Sequence, residues 1–161
     1  MSTSPDRPNP PFPDDVAEEV GRLLQLTLVE LIALSLWGKQ LHWNAYGREF
    51  LSLRRHLDQV VDEWRALGDV VAERAAAIGM APDGSAGAII ELCDLGPPEP
   101  GFTEVASATE GLCAQLWEVA VRVRRRAELV GVLDLVSQDV LLDVIRKLEE
   151  QLWMMRAQLS D

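Results

Sequence analysis

The sequence is poor in the side chains on which most metal and nucleophile chemistry depends. It has 2 His and 2 Cys in 161 residues. Cys93 and Cys113 show no C-x-x-C spacing, which excludes a clustered-thiol zinc site, and they read as buried thiols of a reducing cytoplasm. Basic residues are also scarce, with 15 Lys+Arg against 26 Asp+Glu, a net charge of −11 and a pI near 4.6. That balance argues against capture of nucleic acid, which needs cations to neutralise phosphates, and suits attraction of metal cations. No uninterrupted apolar run is present. The most apolar stretch, 23–38, is broken by Gln25, Glu30 and Ser35, and falls short of the roughly 20 apolar residues of a membrane span. The opening MSTSPDRPNPPFPDD is polar and proline-rich, without the pattern of a secretory leader. Strand-like alternation and internal repeats are missing too.

What remains is a helical chain of one-domain size. With 48% hydrophobic and 25% charged residues it has the composition of a globular protein with a proper core. Residues 1–13 are expected to form a flexible tail, and 14–161 a single domain. Asp14 and Asp15 supply N-terminal charge for a first helix over 16–43, where Val20, Leu23, Leu24, Leu31 and Ile32 recur at helical spacing. Gly47 marks a break, and a second helix over 49–78 carries Leu53, Leu57, Val60, Val61, Trp64, Leu67 and Val71 as its apolar stripe, stopping at Gly79. A long connection over 80–101 holds a short helix at 88–93. A third helix over 103–130 stops at Gly131, and Ser137 is expected to cap a fourth. Two helical hairpins joined by a long crossover make an all-α, ferritin-like four-helix bundle.

The chemistry concentrates in 39–74, KQLHWNAYGREFLSLRRHLDQVVDEWRALGDVVAER. This stretch holds both histidines, His42 and His56. On its helix Arg54, Asp58, Asp62, Arg65, Asp69 and Glu73 share about a quarter-turn arc flanking the apolar stripe. Asp58–Asp62 and Asp69–Glu73 are like-charge i,i+4 pairs, unfavourable unless a cation sits between them. The same arc also serves as a solvated face relieved by its arginines. Neither histidine has a Glu three positions before it, so the usual Glu-x-x-His di-iron centre of a bundle is disfavoured. A site of one histidine and several carboxylates, shared between chains, is compatible with Fe(II), Mn(II) or Zn(II).

HWNAYGREF, followed by LDQVVDE, DVVAER, GMAPDG and finally LEEQLWMMRAQL, resembles the Dps proteins, the miniferritins of bacteria. The similarity runs from about Leu23 to Leu159 with compatible spacing. The resemblance implies a hollow homo-oligomeric shell, a dodecamer built from two-fold dimers, that oxidises Fe(II), often with hydrogen peroxide, and stores ferric iron. It would be a ferroxidase-type oxidoreductase of the stress response, bacterial and cytoplasmic, with the nucleoid a candidate location. The oxidation site would lie at a two-fold interface. His42 and Asp58 match ligands from one subunit, Asp69 and Glu73 match the acidic pair from its partner, and Trp43 matches the aromatic beside the site. Asp62 matches no ligand position.

One position departs from the family pattern. Arg54 stands where a second histidine, four residues before the aspartate, is usual. His56 lies about 200° further round the helix and cannot replace it; it reads as a surface or interface histidine. Arg54 is expected to pair with Asp58, and a guanidinium stays protonated and cannot bind metal. The alternative reading is therefore a structural or metal-buffering shell with a weakened oxidation site. A three-histidine thiol-transferase bundle fails for want of histidines.

The lysine-rich tails through which many Dps proteins bind DNA are not matched, since residues 1–13 carry Arg7 alone. Arg122, Arg124, Arg125 and Arg126 form the one basic run, expected to pair with acidic neighbours across an interface instead of with DNA. Asp134, Asp139 and Asp143 fall where the family's three-fold pore lies. They serve equally as an acidic funnel or as helix N-terminal charge. Trp117 and Trp153 are expected in the core.

Overall fold

The computed structural model describes residues 10–159, so most of the expected tail lies outside the described residues. In chain order the elements are α1 (Asp14–Asn44), β1 (Ala45–Tyr46), α2 (Phe50–Ala77), α3 (Ala86–Leu92), β2 (Thr103–Glu104), α4 (Val105–Gly131) and α5 (Leu135–Gln158). Four long helices form the ferritin-like bundle that the apolar periodicity predicts, and α3 is the short crossover helix.

The two hairpins pair α1 with α2 and α4 with α5. Leu24, Leu31, Leu34, Leu57, Trp64, Leu112, Leu116, Leu141 and Leu148 from all four long helices fill the fully buried centre. By length and composition alone α1 is sufficient to cross a bilayer, contrary to the reading of 23–38 as too short and too polar. Of its most apolar stretch, however, 67% is buried inside the bundle, the signature of a core helix.

The long crossover is pinned along α1. The Gln25 amide donates to the Asp83 carbonyl at 2.6 Å and accepts from the Asp83 backbone N–H at 2.9 Å. Further on, Trp37 Nε1 donates to the Gly96 carbonyl at 2.6 Å. The connection therefore runs lengthwise over the bundle, which is why it must be long. It ends in a two-residue parallel pairing, Ala45 with Thr103 and Tyr46 with Glu104. Two residues are too few to produce an alternating pattern, so no strand is legible in the sequence.

Several expectations give way here. Ser137 is not the cap of α5; Asp134 is, accepting from the N–H groups of Val136 and Ser137. Asp134 also takes Arg74 Nη2 at 2.7 Å, so its carboxylate is committed to capping and pairing. Asp143 is paired with Arg146 and Asp139 is exposed. Arg122 and Arg126 close on the buried Glu30 of α1, and Arg124 on Glu149, so three of the four arginines of this run have partners within the chain, while Arg125 is exposed. Trp117 and Trp153 are 50% and 68% exposed and lie outside the core. Cys113 is buried, while Cys93 is only half-buried.

Candidate metal centre

The end of α1 and the first half of α2 meet closely because Gly38 leaves room for it. A Cβ at Gly38 would lie 2.6 Å from Val61 Cγ2 and 2.9 Å from Trp64 Cζ3. Trp64 is itself fixed, wholly buried and donating from Nε1 to Gln151 Oε1 at 2.7 Å. This contact sets the spacing of the two helices one turn before His42.

His42 and Asp58 come together across that junction. The imidazole Nδ1 lies 2.9 Å from Asp58 Oδ1, with the histidine side chain 6% exposed and the aspartate half-exposed. The approach is out of line for a hydrogen bond, and the buried Nδ1 has no hydrogen-bond partner. A buried nitrogen left without a partner beside a carboxylate oxygen is an arrangement that one cation between them would satisfy on both sides. Burial lowers the His42 pKa against the pull of the Asp58 charge, with the Lys39 and Arg54 charges lowering it further and a hydrogen bond to the Arg54 backbone opposing them. The ring is thereby biased to the neutral form that ligates metal. The Asp58 carboxyl is held below its usual value, first by the Lys39 hydrogen bond and then by the neighbouring cationic groups.

Asp58 does not pair with Arg54. The cation on its carboxylate is Lys39, whose Nζ donates to Asp58 Oδ1 at 2.8 Å. The Arg54 guanidinium lies instead over the Phe50 ring, 5.9 Å from its centroid. A helix offers Arg54 a neighbour at i−4 as well as at i+4, and here the aromatic face takes it. Lys39 was legible as a same-face neighbour of His42, three residues before it on α1. Nothing local to α2 could have identified it as the partner of Asp58.

Asp69 and Glu73 are exposed on α2. They lie about 16 Å and about 22 Å beyond Asp58 along the helix axis. One subunit therefore does not bring the four acidic and imidazole groups together, and the described residues contain no cluster of three or more metal-ligating side chains. Asp62 is exposed and paired loosely with Arg65 at 3.7 Å. Trp43 projects outward beside His42, 65% exposed. His56, expected as a surface or interface histidine, has a half-buried ring, and its Nε2 is enclosed without a hydrogen-bond partner. Burial lowers its pKa, opposed by the charge of Glu63.

Comparison with known proteins agrees with this architecture. A family model described as a ferritin-like domain matches residues 22–161. The chain is 34% identical over 151 residues to the DNA protection during starvation protein of Mycolicibacterium smegmatis, covering 94% of this chain and 82% of that one. It is also 34% identical over 143 residues to the fine tangled pili major subunit of Haemophilus ducreyi, covering 88% and 75%. Among solved structures, the tetragonal form of Mycobacterium smegmatis Dps superposes with a TM-score of 0.92 at 32% identity, over 100% of this chain and 96% of that one.

Proposed function

This chain belongs to the ferritin-like family and within it to the Dps proteins, and from that premise we propose that it oxidises Fe(II) at sites shared between two subunits. The ferric product is stored in a hollow homo-oligomeric shell, a dodecamer of two-fold dimers, in the bacterial cytoplasm. Iron is the substrate. Two Fe(II) ions each give one electron to one hydrogen peroxide, whose O–O bond breaks; with two protons from water its oxygens leave as two water molecules, two Fe(III) remain, and the cell is relieved of both reagents. Any protection of DNA then comes from this removal and not from binding, given the acidic chain.

The observation that carries this reading is the buried, unpartnered Nδ1 of His42 2.9 Å from Asp58, with Asp69 and Glu73 exposed at a distance along the same surface. An isologous two-fold contact pairs each patch with the other patch of its partner. His42 and Asp58 of one protomer would thus face Asp69 and Glu73 of the second, completing a nitrogen-and-oxygen ligand set suited to Fe(II). Trp43, exposed next to His42, is placed to give an electron to the hydroxyl radical that is left, beside hydroxide, whenever only one Fe(II) reacts with a peroxide. A second reading, a structural or metal-buffering shell with a weak site, is favoured by Lys39 and Arg54, which put two cations beside one carboxylate.

Subunit mixing tests the shared site. His42→Ala and Glu73→Gln are each expected to abolish peroxide-dependent Fe(II) oxidation. In a mixed dimer one site receives both lesions and the other none, so random co-assembly should restore about a quarter of the wild-type rate. Failure of the mixture to recover activity would mean that the ligands do not come from two subunits.

A further inference from the structure

Lys39 and His42 sit one turn apart on α1 and converge on the same atom, Asp58 Oδ1, at 2.8 Å and 2.9 Å. The ammonium group is not a stray surface charge. Its side chain is only 26% exposed, and it spans from one helix to the other to reach the one carboxylate oxygen that faces the buried imidazole. Chemically it is a monovalent cation on the oxygen that a metal bridging to His42 Nδ1 would use. Arg54, drawn aside over Phe50, leaves this oxygen to Lys39.

We propose that Lys39 is a built-in counter-ion of the metal site, so that a divalent cation enters by displacing the Lys39 ammonium from Asp58. The inference rests on the His42–Asp58 pair being part of the metal site. It adds that loading is an exchange of one cation for another. Held by its neighbour, Asp58 is charge-compensated beside the buried ring when no metal is bound, and monovalent ions meet an oxygen already occupied. A divalent ion competes because it gains the His42 nitrogen as well as the carboxylate, whereas an ammonium ion cannot accept the nitrogen lone pair. The displaced lysine has four carbons of flexible stem with which to swing to water. The exchange sets an affinity threshold: the site ignores traces of metal and fills when Fe(II) rises. Lys39 acts here through Asp58, as a positioning residue.

Cobalt(II), which forms coloured nitrogen–oxygen complexes and is not oxidised under these conditions, is the probe. The assembled shell is titrated with Co(II) and followed by visible absorption, for wild type, Lys39→Met, Lys39→Arg and His42→Ala. Lys39→Met keeps the length of the stem and loses the charge. It should bind Co(II) about ten-fold more tightly, while Lys39→Arg stays near wild type and His42→Ala binds none at this site. A merely structural role for the ion pair predicts the reverse for Lys39→Met, weaker binding together with a lower melting temperature. Unchanged or weaker binding by Lys39→Met, with binding still lost in His42→Ala, overturns the exchange and leaves the metal site standing. Absence of His42-dependent Co(II) binding in both wild type and Lys39→Met overturns both. Should Lys39→Met fail to assemble, Lys39→Gln carries the same expectation.

Discussion

Arg126 of α4 donates from Nη1 to Glu30 Oε2 of α1 in the interior of the bundle, where both side chains are almost entirely withdrawn from water. Arg122 Nε takes the other oxygen of Glu30, and Thr27 Oγ1 lies 3.3 Å from Arg126 Nη1. One carboxylate thus holds two guanidinium groups against the most apolar part of α1. Removing the carboxylate leaves buried positive charge uncompensated, a loss of about 3–5 kcal/mol in comparable pairs. Glu30→Gln should therefore lower the stability of the shell by that order in denaturant unfolding at fixed subunit concentration. Glu30→Met combined with Arg122→Met and Arg126→Met should recover much of it, because no charge is then stranded. A Glu30→Gln protein as stable as wild type would show that the cluster contributes little.

Acid should act through Asp134. Burial pushes this carboxyl up, but hydrogen bonds from Ser137 and Arg74 and the Arg74 charge outweigh it, so its pKa lies below the usual value. A carboxylate depressed on folding stabilises the native state above the unfolded pKa, and that contribution is lost as pH falls through the folded pKa. Asp134→Asn keeps a capping side chain and removes the charge. Its stability deficit should be full at pH 6 and shrink steadily below about pH 4. A deficit independent of pH would assign the effect to capping alone.

The four long helices were legible in the sequence because each carries an apolar stripe with acidic or glycine punctuation at its ends. Gly79 illustrates this, taking a φ of 82° just past α2. His42 and Asp58 could be marked as candidates from their motif. What brings them together, the Gly38–Trp64 contact, lies between helices and leaves no local trace. The same limit explains the errors. Trp153 follows the buried Leu152 by one residue, about 100° round the helix, and so faces water. Trp117 lies under Arg156 at 5.3 Å, an arrangement that only the packing of α4 on α5 creates. Spacing along α2 pointed to Arg54 as the cation for Asp58, and only the junction of α1 with α2 brings Lys39 there instead.

Gly38 should be sensitive for the reason that His42 meets Asp58. An alanine there would drive its methyl group into Val61 and Trp64, and Trp64 cannot retreat while bonded to Gln151. Overpacking of this kind costs about 1–3 kcal/mol. Because the strain falls one turn from His42, Gly38→Ala should also separate the imidazole from Asp58. The expected result is a lower melting temperature together with a weakened Co(II) signal. Glycine has no special backbone role at this helical position, so a stable variant with intact metal binding would remove spacing as the explanation.

Arg54 offers the last test, and its direction is opposite to that of an ordinary site mutation. Its guanidinium cannot ligate, and its charge helps to lower the pKa of both His42 and Asp58. Arg54→His removes one of the two cations near Asp58 and adds an imidazole four residues before it on the same face of α2. The variant should hold metal more tightly and oxidise Fe(II) several-fold faster with peroxide. Stopped-flow absorbance of the ferric product measures the rate, and Co(II) titration counts the ions bound per subunit. Faster oxidation with a higher ion count would mean that Arg54 keeps the natural centre below its capacity. An unchanged rate would mean that Lys39, and not Arg54, is the cation that governs loading.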